Sequence, residues 1–349
     1  MVETDRPIVA VTMGDPAGIG SEIVVAAYDR LLESARPVVV GDAGVLRAAC
    51  EVRDADLDVR AVPAVDDASF EPGTIPVLDL GNVDEIEYGV VREVYGEASL
   101  AYVERAIELA LDGEVDAITT APINKQSTRL AGSEYAGHTG MLADYTDTER
   151  YSMMLVEGEL RVTHVSTHVP LRDACELVTE ENVLETIRVT DRALRELGIE
   201  EPEIAVAGLN PHASDGGLLG DEDEREIRPA VERAREEGIE AHGPESPDTI
   251  YVGAARGGYD CVVSMYHDQG HIPIKMLGFS GNETVSGVNV TIGLPIVRTS
   301  VDHGTAFDIA GEGVASEASL VDAVELAAEI ARRRATADEP ERAAGREAR

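Results

Sequence analysis

"PIVAVTMGDPAGIGSE", residues 7–22, decides how this chain is to be read. An apolar, β-branched run ends in a Gly/Pro-rich turn, and the turn opens a helix. A strand apolar along its whole length suits a position covered on both faces, as in a parallel sheet. The same unit recurs down the chain. "PVVVGD" (37–42), "IPVLDLG" (75–81), "DAITTAPI" (116–123), "LRVTHVSTHV" (160–169), "EIAVAGLN" (203–210), "DCVVSMYH" (260–267) and "VNVTIGLPIVRTS" (288–300) read as strands. Amphipathic helices lie between them, at 97–113, 180–198 and 223–238, the last two stopping at Gly. The alternation predicts an α/β fold with a mostly parallel sheet flanked by helices. No linker marks a boundary, so residues 1–330 are expected to form one catalytic unit of two interwoven subdomains. The charged stretch 331–349 is expected to fray from the last helix.

Composition narrows the function. The chain has 349 residues, with 67 acidic against 29 basic and a net charge of −38. Only Lys125 and Lys275 are lysines. Such a charge repels itself unless salt screens it, which molar salt does within about 3 Å. The acidic, lysine-poor surface therefore reads as adaptation to high intracellular salt. It argues against nucleic acid, whose phosphates need basic patches, and against anionic membrane surfaces. No apolar run reaches membrane-spanning length, and "MVETDRPIVAVTMG" does not read as a signal peptide. Cys50, Cys175 and Cys261 are scattered and odd in number, which fits cytosolic thiols and a cytoplasmic protein.

In α/β proteins the ligand crevice lies at the carboxyl ends of strands. Three of the eight histidines, His168, His212 and His267, fall there. One reading is a divalent metal held by these three with open positions for substrate; the other is that one or two are structural, hydrogen-bonded histidines. His164 is the obvious decoy, His242 reads as a surface loop residue, and His271 and His303 read as loop residues within the motif region that could support the ligands from behind. Asp268, next to His267, could orient an imidazole, ligate metal or contact substrate.

Lys275, Asn289 and Arg298 follow His267 in order. An ammonium, an amide and a guanidinium suit a phosphate or carboxylate. A sequence that has nearly abandoned lysine should keep it where a compact point charge is needed, and Lys125 in "APINKQS" fits the same logic. "GHTGML" (137–142) places His138 and Thr139 at an expected helix start, which favours anions or simple capping. The 14–22 loop is not GxGxxG and is a weak nucleotide signal alone.

Together, "VTMGDPAGIGSEI", "TTAPINKQ", "GHTGMLADYT", "STHVPLRDA", "GLNPHASDGG", "MYHDQGHIPIK" and "GVNVTIGLPIVRTSVDHGTAFDIAG" resemble the 4-hydroxythreonine-4-phosphate dehydrogenase family (PdxA). The resemblance runs from about residue 7 to about 330. It implies a fold similar to isocitrate and isopropylmalate dehydrogenases, with two subdomains and an intervening cleft. It implies a homodimer with active sites at the subunit interface, so the three histidines need not come from one chain. Carried over by motif, the metal ligands are His168, His212 and His267, and the substrate contacts are His138, Thr139, Lys275, Asn289 and Arg298. NAD and a divalent metal (Zn, or Co or Mg) are the implied cofactors. "SGNETVS" (280–286) looks like an insertion, and Ser21 stands where proline is common.

The implied reaction is oxidation of a phosphorylated 3-hydroxy acid followed by loss of CO₂, with 4-phosphooxy-L-threonine as first substrate and 4-phospho-D-threonate or 4-phospho-D-erythronate as alternatives. Asp268 and Lys125 are the candidates for the base. A zinc hydrolase of a phosphorylated substrate and a non-catalytic sugar-acid-phosphate binder are the readings from other classes. The charge reading predicts a melting temperature that rises with KCl; a thermal shift series in which it stays flat or falls would disprove the salt adaptation.

Overall fold

The computed structural model describes residues 6–135, 137–279 and 287–347, with the backbone alone at 279 and 338–347. The 280–286 insertion lies outside the described residues. The chain divides into two compact units, residues 1–147 with 294–349, and residues 148–293.

In the first unit, β1 (Ile8–Thr12), β2 (Arg36–Gly41), β3 (Asp58–Val62), β4 (Thr74–Asp79), β5 (Ala117–Thr120) and β12 (Arg298–Val301) lie in the order β3-β4-β2-β1-β5-β12. Every pairing among them is parallel. β1 is the centre, and Val9, Ala10 and Val11 are fully buried as the unbroken apolar run requires. From β1 the chain works outward to β2 and its neighbours; β5 then falls on the other side. The loops after β1 and β5 therefore meet where the strand order reverses, the usual crevice of an open α/β sheet. They are stitched there by the Asp15 N–H, which donates to the Pro122 carbonyl at 3.0 Å. Gly14 makes this possible: its φ is +72°, and a Cβ would sit 2.3 Å from that same oxygen. The helix α1 (Gly20–Leu31) follows directly.

Helix α3 (Glu93–Leu111) packs on β1, β2 and β5 and on the short α4 (Lys125–Leu130). At Gly96 the two helices approach so closely that a Cβ would lie 2.0 Å from the Ser127 carbonyl oxygen. The last helix, α11 (Ala318–Glu347), packs on β5 and β12. Its backbone stays helical to Glu347, well past Ile330 where the sequence suggested fraying.

In the second unit, β6 (Ser152–Glu157), β7 (Leu160–His164), β8 (Ile204–Ala207), β9 (Ala241–Glu245), β10 (Cys261–Ser264) and β11 (Val288–Ile292) lie in the order β11-β6-β7-β10-β8-β9. β6 runs antiparallel to both of its neighbours, and the remaining pairs are parallel. The core beneath includes Leu155, Val162, Ala205, Val262 and Ile274. Thr179 caps α7 (Glu180–Glu196), its side chain accepting from the Asn182 N–H. Helix α10 (His267–Phe279) begins just beyond β10.

The α/β class and the mostly parallel pairing hold, but three strands escape a reading of the sequence. β3 is half exposed, β6 is rich in Met, and β9 contains Gly243 and Pro244, which read as loop. His242, expected on a surface loop, is on β9 and half-buried. The run 288–300 is two strands, broken at Gly293, whose φ of +91° and backbone approach to Arg150 end β11. Gly96→Ala should destabilise the protein by about 1–3 kcal/mol, since backbone must move to admit the methyl. An unchanged denaturant midpoint would show that α3 and α4 do not pack as described.

Candidate active site: two clusters at strand ends

In the first unit, the predicted anion-binding residues gather near the β5 end. Asn124 caps α4, accepting from the Gln126 and Ser127 N–H groups, and so fixes Lys125 at the first helical position, exposed. His138 begins α5 (His138–Tyr145), followed by Thr139. Arg298 opens β12, is 2% exposed and donates to Thr120 Oγ1 at 2.6 Å. Burial pulls the Arg298 pKa down to about 9. Burial also drives His138 well below the ordinary histidine range, and the charges of Arg298 and Lys125 push it the same way. His138 is therefore a neutral imidazole beside two cations, and its Nε2 is buried with no hydrogen-bond partner among the described residues. A polar atom sealed in this way lacks a partner that a ligand could supply.

Nearby, Asp15 is fully buried in the β1 loop, its Oδ1 accepting from the Ala17 N–H at 2.9 Å. Burial raises its pKa, although the hydrogen bond from the Ala17 N–H opposes the shift. The sequence reading passed over this carboxylate because Asp-Pro reads as turn chemistry.

In the second unit, His267 is not at the end of a strand but at the start of α10, and His168 lies in the exposed loop beyond β7. Their ring centroids are 5.7 Å apart. Asp268 Oδ1 is 2.7 Å from His267 Nδ1, a contact that orients the imidazole through that nitrogen. Lys275 lies two turns further along α10, half-buried. Asn289 is on β11, with its Nδ2 on Met153 Sδ and its Oδ1 buried without a partner among the described residues.

His164, read in the sequence as a decoy, and His271, read as a loop residue that could support the ligands, belong to the same cluster. His271 is on α10, not in a loop, and stacks on His267 at 3.6 Å between centroids with an interplanar angle of 11°. The i, i+4 spacing in "HDQGH" was the available signal, since it puts both rings on one helix face. His271 Nδ1 is 2.9 Å from the His267 carbonyl, which can only accept, so Nδ1 carries the proton. The same nitrogen is 3.2 Å from His164 Nε2, which then accepts. Gly270 permits the approach: a Cβ there would be 2.5 Å from His164 Nε2 and 2.7 Å from Ser264 Oγ.

His212 lies apart from these rings, exposed in the turn Pro211–Gly217. Among the described residues of one chain, no group of three or more His, Cys, Asp or Glu side chains is arranged to hold a metal ion. The donor chemistry fits a divalent cation, with His168 and His267 adjacent and His267 oriented by Asp268. One protomer, however, brings together only two of the three named ligands.

His164 is buried neutral, its pKa lowered from 6.5 to about 3 chiefly by burial and then by His271. Unfolding lets it bind a proton at any pH between those values. Its contribution to stability is thus complete above pH 6.5 and is lost as pH falls toward 3. His164→Gln should flatten the dependence of unfolding free energy on pH across that window. An identical slope in both proteins would show that His164 titrates normally.

The sequence matches the family profile described as Pyridoxal phosphate biosynthetic protein PdxA over residues 33–327. A D-threonate 4-phosphate dehydrogenase of Cupriavidus necator is 46% identical over 333 residues, covering 94% of this chain and 98% of the relative. Among solved structures, a 4-hydroxythreonine-4-phosphate dehydrogenase from Klebsiella pneumoniae is 45% identical with a TM-score of 0.84, covering 94% of this chain and 98% of that one. Its counterpart from Burkholderia phymatum is 44% identical with a TM-score of 0.80, covering 93% and 98%.

Proposed function

The chain belongs to the PdxA family, and from that premise we propose that it is an NAD-dependent, metal-dependent dehydrogenase that oxidises and decarboxylates a phosphorylated 3-hydroxy acid. The observation that carries the reading is the cluster of buried Arg298, exposed Lys125 and neutral His138 with its sealed, unpartnered Nε2. Cations around an unsatisfied polar atom suit an anionic substrate group. We take 4-phospho-D-threonate as the first substrate, ahead of 4-phosphooxy-L-threonine. The Cupriavidus necator relative carries the former name. The threonate also has a hydroxyl where the amino acid has an ammonium, which would be repelled by Arg298 and Lys125.

Arg298 and Lys275 bind the anionic ends of the substrate, and Thr139 and Asn289 supply hydrogen bonds that fix its orientation. His138 adds a hydrogen bond without adding charge. Asp268 holds His267 by Nδ1 and so acts as an orienting group more than as a base, and Lys125, a cation beside His138, serves the anionic end of the substrate rather than taking the hydroxyl proton. A divalent cation, when bound by His168, His212 and His267, supplies Lewis acidity to the substrate oxygen. A second copy of the chain completes that set. The exposed Ile272, Met276 and Leu277 on α10 give it an apolar face to cover in a chain of net charge −38. Among the described residues no helix is long and apolar enough to cross a membrane.

Protein in molar KCl with a divalent cation, NAD and 4-phospho-D-threonate should produce NADH and CO₂, and Arg298→Lys should lower kcat/KM about 100-fold by misplacing the charge. No NADH from either phosphorylated acid would remove the dehydrogenase reading. A monomer by light scattering would remove the shared site.

A further inference from the structure

The turn that carries His212 is the most unusual backbone in the chain. His212, Ala213, Ser214, Asp215 and Gly216 all have positive φ, between +44° and +67°, and together form a left-handed helical turn. For a residue with a Cβ, this conformation costs roughly 1–2 kcal/mol. Four such residues in succession persist only where neighbouring groups over-determine them.

Two buried side chains do so. Asp223 is fully buried, and its carboxylate gathers the mouth of the turn. Oδ1 accepts from the Leu209 N–H at 2.8 Å, while Oδ2 accepts from the Asn210 N–H at 3.2 Å, the Asn210 amide at 2.9 Å and the Ser214 hydroxyl. Gln269, 9% exposed on α10, reaches the same segment from the other side. Its Nε2 donates to the Gly208 carbonyl at 2.7 Å, and its Oε1 accepts from the Met265 N–H at 2.6 Å. One amide thus ties the strand end that leads to His212 to the strand end that leads to His267.

We propose that Gln269 and Asp223 are positioning residues, a two-part brace that holds the left-handed His212 turn at the strand end and so fixes how the His212 imidazole is presented to a divalent cation. The inference rests on the proposed function for the identity of the ligand. It adds which residues place His212, a role that no feature of the histidines themselves assigns. Neither brace residue touches the cation or the substrate.

The test uses Gln269→Glu in the full-length protein. The new carboxylate keeps an acceptor for the Met265 N–H but turns an oxygen toward the Gly208 carbonyl, breaking one link of the brace. Asp223→Asn is the second variant, should the first fail to fold. Co²⁺ binding is followed by its visible absorption, alongside the melting temperature of metal-free protein and hydrogen exchange of the 208–217 segment. Expected are a Co²⁺ affinity lower by about 10- to 100-fold and faster exchange in that segment, both larger than the change in metal-free melting temperature accounts for. Co²⁺ affinity equal to wild type overturns the proposal. So does a loss of affinity that merely tracks a lower metal-free melting temperature, since any structural residue would do that. Wild-type protein that binds no Co²⁺ instead removes the histidine site itself, and with it any role for a brace.

Discussion

Helix α10 comes down onto β7 and β10 because residue 270 has no side chain. Nε2 of His164, Val162 and Ser264 Oγ occupy the space a Cβ would take. That contact sets the height of the helix, and the height decides where every polar group on it falls. His267 and His271 stack, His271 meets His164, and Gln269 reaches the end of β8. A helix held even one methyl further away would separate all of these at once, because packed interiors move as connected pieces.

The first unit is organised by a different constraint. The reversal of strand order at β1 and β5 brings two loops together at their carboxyl ends, and the Asp15–Pro122 backbone bond locks them. Buried charge collects along this edge. Asp42 accepts from Tyr102 and from the Asn82 N–H, Glu22 accepts from the Gly311 and Gly313 N–H groups, and Arg298 lies under Thr120. Most of these groups are consumed in holding loops. His138 keeps a sealed nitrogen with no partner among the described residues, as Asp15 keeps its Oδ2 and Ser127 its Oγ on the same edge.

Much of this was legible in the sequence. Apolar runs ending in Gly, Pro and Asn gave the strands and the edge where chemistry gathers, because parallel strands are buried on both faces and their loops share one rim. His138, Lys125 and Arg298 were singled out by other signals, an expected helix start, the scarcity of lysine and the order of polar donors after His267, and they lie near one another in the first unit. Strands β3, β6 and β9 were not legible, since an exposed edge, two methionines and a Gly-Pro pair hide the pattern. His164 was misjudged for a tertiary reason: the close approach at Gly270 makes it a neighbour of His271, more than a hundred positions away. Asp223 and Gln269 had no signal at all, because an isolated acidic residue and a glutamine look the same whether they face water or hold a turn.

The handedness of the His212 turn has one more consequence. Chirality disfavours that winding for ordinary residues, so its shape is not written in "NPHASDGG" but imposed from outside by a carboxylate fourteen residues beyond Leu209 and an amide on another element. A short peptide copied from this loop, or the same letters grafted onto a different scaffold, would relax to the opposite winding or to none. The motif is therefore not portable, and finding it in an unrelated sequence says little about where its imidazole points.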